Sequence, residues 1–97
     1  MTRSLLERKL SVASLRLKEL RDELAVVDEQ LAALMESADD ARLRALVSET
    51  PLAGQEHQEA QRHADAMAQH RSGLTKRVDE LERSQDDLLD RLVAGAG

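Results

Sequence analysis

"SETPLAGQ", residues 48–55, contains the only proline of the chain, and no glycine precedes it. Nothing of the usual kind therefore breaks a helix between Met1 and Thr50. Pro51 is either the hinge of a long helical hairpin or the first turn of the last of several helices. Thr50 followed by Pro51 suits a helix start, because threonine caps and proline in the first turn loses no hydrogen bond. What flanks the proline decides between the two.

Upstream, Leu6, Leu10, Ala13, Leu17, Leu20, Leu24, Val27, Leu31 and Leu34 recur at alternating steps of four and three. That is an unbroken heptad seam with Leu at a and Leu, Ala or Val at d. The same phase runs on through Ala38, Ala41, Ala45 and Ser48. Downstream, Ala60, Ala64, Met67, Arg71, Leu74, Val78, Leu81, Gln85, Leu88 and Leu92 keep the rhythm, with Arg71 and Gln85 as polar intrusions. Paired antiparallel, Leu24 faces Leu74, Leu31 faces Met67, Leu17 faces Leu81 and Leu6 faces Leu92. This register centres on the stretch that holds Pro51. It sets Gln85 opposite Ala13 and Arg71 opposite Val27, along which the arginine can snorkel outward. Flanking charges are mixed: Glu23 meets Arg77 favourably, whereas Lys9 meets Arg91.

The expected architecture is all-α, a long antiparallel helical hairpin. Its first helix covers about residues 4–48, capped by Ser4 with Glu7 reaching back. The turn spans 48–51 around Thr50 and Pro51, and the second helix covers about 51–94 before a frayed "GAG" tail. The rival reading breaks the first helix near 37–40, in "ESADDA".

Composition agrees. The 97 residues are 41 % hydrophobic and 34 % charged, without Phe, Tyr or Trp, so leucine, valine, alanine and methionine must build the core. This is coiled-coil composition, in one small domain at most. There is no cysteine, no apolar run long enough to span a membrane and no signal peptide. A cytoplasmic protein is the expectation. A net charge of −5 argues against general nucleic-acid binding and against anionic lipid. Only Lys9, Lys18 and Lys76 among the 14 basic residues are lysine, an arginine bias that fits a high-GC bacterial genome.

A second apolar line lies off the seam. Leu5, Val12, Val26, Ala33 and Val47 share position c of the first helix, interrupted by Glu19 and Asp40, with Leu15, Leu43 and Leu46 alongside. The second helix offers only Leu52, Leu89 and Val93. Single surface leucines are normal, but helical spacing points to a partner that covers the first helix. The cheapest partner is another copy, giving a homodimeric four-helix bundle with its two-fold axis near Val26. The expected interface is Leu5, Val12, Leu15, Val26, Leu43, Leu46, Val47 and Leu52.

Catalytic chemistry finds no footing. His57, His63 and His70 cluster with Glu56 and Glu59, but no Glu-x-x-His or His-x-x-x-His pair occurs, so neither metal nor cofactor is expected. Glycine-rich phosphate loops and nucleophile–base pairs are missing too. The reading is a non-enzymatic protein–protein interaction or scaffold module.

Two family resemblances bear on function. "LRDELAVVDEQLAALM", from Leu20, is similar to the opening helix of helical chorismate mutases, with Arg21 at that family's catalytic arginine. The further arginine and lysine that family needs have no counterpart here, which sets it aside. "ESADDA", residues 36–41, resembles the acidic tip motif of DksA-type factors through Glu36, Asp39 and Ala41. That resemblance implies the alternative function, a bacterial transcription regulator that inserts a coiled coil into RNA polymerase. It requires these residues to sit at a hairpin tip.

Overall fold

The computed structural model describes residues 2–96. Two helices, α1 (Arg3–Ser48) and α2 (Pro51–Ala96), pack as a hairpin, and no strand occurs among the described residues. α1 runs through 37–40 without interruption, so the rival break near residue 37 is not formed. "ESADDA" lacks both glycine and proline, and the buried Ala38 and Ala41 hold its seam positions against α2, which outweighs the weak helix propensity of Ser37, Asp39 and Asp40.

The helix ends follow local hydrogen bonding. Thr2, rather than Ser4, caps α1: its Oγ1 accepts from the Leu5 N–H at 3.2 Å, and Ser4 lies inside the first turn. Glu7 does not complete a capping box but pairs with Arg3 at 3.1 Å. The expected cap loses because Thr2 supplies the same side-chain oxygen two residues earlier, which lets the helix begin sooner. At the other end the Glu49 N–H donates to the Ala45 carbonyl at 3.1 Å, and Glu49 takes the left-handed conformation with φ 54°. This is the single-bond αL stop, a place where glycine is favoured. Thr50 then caps α2, its Oγ1 accepting from the Ala53 N–H at 3.2 Å. Pro51 takes the first helical position. At its far end α2 continues over Gly95 to Ala96, beyond the expected stop at 94; Gly97 lies outside the described residues.

The hairpin divides into two compact units. One joins the described residues through Leu24 to those from Leu74 onward; the other is Ala25–Gly73. In the first, Leu6, Ala13, Leu17, Leu20, Leu74, Val78 and Leu88 are buried, and Leu17, Leu20 and Leu74 each keep only 1 % of their surface. The Gln85 amide donates to Ser14 Oγ at 2.9 Å, one residue from its expected partner Ala13. Arg21 meets Glu82 at 2.9 Å across the same seam.

In Ala25–Gly73 the buried set is Val27, Ala38, Ala41, Ala53 and Ala64. Here Arg71 does not simply snorkel past Val27. Its Nε donates to Asp28 Oδ1, and that hydrogen bond, reinforced by the opposite charge, raises the guanidinium pKa. In both units the polar seam residue finds a partner one step along α1 from the residue expected opposite it, which sets each register to within a residue.

Among the described residues, all twelve buried hydrophobic side chains occupy a or d positions. Ala53 extends the α2 seam one heptad beyond Ala60, toward the turn. Its N–H completes the Thr50 cap while its methyl group closes the seam.

Candidate interaction surface

The seam uses up the buried surface, so the side chains of functional interest are those it leaves outside. Leu5, Val12, Leu15, Val26, Leu43, Leu46 and Val47 on α1 are exposed, as is Leu52 on α2. Exposure reaches 68 % at Val12 and 85 % at Val47. Met35 joins the exposed set on α1, and Leu89 and Val93 on α2. The asymmetry is eight large apolar side chains against three. It arises because α1 carries leucine and valine at c, f and b positions as well as on its seam.

The structure brings only part of this set together. In the unit closed by α1 through Leu24 and α2 from Leu74, Leu5 and Val12 line an open groove of about 630 Å³ with Leu81 and Leu88. Its rim is basic: Arg8, Lys9, Arg16 and Arg91 line it against one acid, Asp87, which pairs with Arg91 at 3.1 Å. Arg16 also holds Glu19 at 3.1 Å along α1. Leu15, Val26, Leu43, Leu46, Val47 and Leu52 lie outside this groove. The basic rim was missed as a feature in its own right. Its sequence signal was the unfavourable meeting of Lys9 with Arg91 expected across the seam; in the hairpin Asp87 pairs with Arg91.

Ala25–Gly73 carries a smaller, more polar groove of about 270 Å³ lined by Ser37, Ala41, Arg44, Glu56, Glu59 and His63. His57 is half-buried at its seam position, and His63 and His70 are exposed. Among the described residues no three His, Asp or Glu side chains converge as a metal site would need. No helix among them is long and apolar enough to cross a membrane.

The acidic stretch 36–41 lies within α1 rather than at the turn, which is formed by Glu49 and Thr50. Asp39 and Asp40 face solvent while Ala41 is buried in the seam. The tip placement that the DksA-type resemblance requires is therefore not present. Comparison with protein-family models, curated proteins and solved structures finds no match.

Proposed function

We propose that this chain is a non-enzymatic interaction module of bacterial, cytoplasmic type, which works as a homodimer and docks other proteins through its helical surfaces. The observation that carries the reading is the lopsided exposure of α1. α2 covers the seam of α1 wholly or in part, yet eight large apolar side chains of α1 remain outside it. Monomeric proteins rarely leave large apolar patches in water, and such patches mark interaction sites. A second copy covers the stripe with the surface already available, and self-complementary patches close as two-fold dimers. An enzyme reading has less support, because neither groove is enclosed by apolar walls with convergent polar groups.

Light scattering after size exclusion tests the dimer, with refractive-index detection since the chain has no Trp or Tyr. The expected mass is twice the 10.8 kDa of the chain. Val26→Glu, which places a carboxylate in the stripe, should lower that mass while circular dichroism stays helical. A wild-type mass of one chain at high micromolar concentration would end the proposal.

A further inference from the structure

The basic groove and a stretch of the same chain are complementary in charge and shape. Residues 22–41 hold seven Asp or Glu and no Lys or Arg. Within them Asp22, Val26, Glu29, Ala33, Glu36 and Asp40 recur at steps of four and three, and all six are exposed. They form one face of α1, in which the line of Val26 and Ala33 runs beside an acidic line of Asp22, Glu29 and Glu36. The groove is the inverse: an apolar floor of Leu5, Val12, Leu81 and Leu88 inside a rim of Arg8, Lys9, Arg16 and Arg91. On α1 it runs from Leu5 to Arg16, about 16 Å at ~1.5 Å per residue, which matches three turns of a docked helix.

We infer that the groove of each copy takes the acidic face of α1, residues 22–33, from the second copy, antiparallel, in a closed two-fold dimer. This rests on the homodimer proposed above and fixes its register. Setting Val12 against the second copy's Val26 brings Leu5 to Ala33, Lys9 to Glu29 and Arg16 to Asp22. The two-fold axis then passes Glu19. An axis at Val26 instead sets Arg8 against Arg44 and Val12 against Asp40, so both charge and apolarity reject it. Two Glu19 carboxylates meet near the axis in the inferred register, each held within its own chain by Arg16. In this register Lys9 gains an anionic neighbour in Glu29, while Arg91 already holds Asp87 within its own chain. Nucleic acid and anionic lipid fit less well, because the chain as a whole carries −5 and repels polyanions at longer range.

The chain has no cysteine, so single cysteines report the axis cleanly. Glu19→Cys should form a disulfide-linked dimer under mild oxidation far faster than Val26→Cys. Charge reversal supplies the second arm. Lys9→Glu with Arg16→Glu should weaken the dimer on the order of tenfold or more, as like charges then face each other. Asp22→Lys with Glu29→Lys should do the same, and an equimolar mixture of the two double variants should recover a dimer. Recovery also shows that both variants fold. Faster crosslinking of Val26→Cys, or a dimer indifferent to reversal at Lys9 and Arg16, overturns the groove assignment and leaves the homodimer standing. A wild-type chain that stays monomeric and co-sediments with phosphatidylserine vesicles overturns both.

Discussion

In the unit closed by α1 through Leu24 and α2 from Leu74, five of the seven buried side chains are leucine; in Ala25–Gly73 four of the five are alanine. Both seams keep the same heptad phase, so the difference is one of volume. Leucine layers gain from the apolar area each removes from water, ~1.5–3 kcal/mol per fully buried side chain. An alanine layer gains little from area. It excludes water only where the helix backbones approach closely, since interaxial distance follows the side chains at the contact. Ala41 and Ala64, each with 3 % of its surface exposed, show that water is excluded there all the same. One unit is thus sensitive to loss of volume and the other to gain.

Removing volume from the leucine seam should have the largest effect. Leu17→Ala deletes a side chain with 1 % exposure and should cost ~2–5 kcal/mol, read as a fall in the denaturant midpoint. A loss below ~1 kcal/mol would mean the seam collapses around the gap, and would erase the distinction between the units.

Adding volume to the alanine seam comes next. Ala41→Leu should cost ~1–3 kcal/mol by forcing the helices apart in Ala25–Gly73. If Ala41→Leu raises the melting temperature instead, the alanine layers have spare room and the close-approach account fails.

Between the helices, Glu49 carries a left-handed φ that a side chain resists. Glu49→Gly should stabilise by about 1 kcal/mol, because the αL penalty for a residue with a Cβ is of that order. No gain in melting temperature would indicate that the Glu49 side chain contributes something the glycine loses.

The smallest effects belong to two hydrogen-bonded polar seam residues, Arg71 in Ala25–Gly73 and Gln85 in the other unit. Arg71 and Asp28 are both nearly half exposed, so their pair should contribute little to stability and fade with salt. Arg71→Leu should leave helicity intact and flatten the salt dependence of stability. Gln85→Leu, which removes a neutral bond to Ser14, should leave that dependence unchanged. Equal salt responses from the two variants would break this part of the comparison.

Much of this was legible in the chain itself. The heptad phase named every a and d position found buried among the described residues except Ala53, one heptad before Ala60. The start of α1 was placed two residues late in its cap, since Thr2 and Ser4 offer the same hydroxyl and only backbone geometry chooses between them. Arg71 was assigned a solvent-seeking path because the heptad reading compares facing positions and not their neighbours; Asp28 sits one step along. The basic groove had a visible clue in Lys9 and Arg91, but its floor and rim come from two segments more than sixty residues apart. Only the packed helices join them.

What the sequence determined alone is the part governed by short-range periodicity. The spacing of leucine and alanine every three or four residues defines one buried stripe per helix, and a lone Thr-Pro step fixes where the chain reverses. The packed structure decided the rest. How far each seam position is shut from water depends on the facing helix, which is why Leu24 and Leu31 remain half-buried while Ala41 and Ala64 are closed. The bonds Arg71–Asp28 and Gln85–Ser14 exist only once the helices are side by side. Periodicity is a property of neighbours along the chain, whereas burial and cross-helix bonding need a second surface at a defined distance.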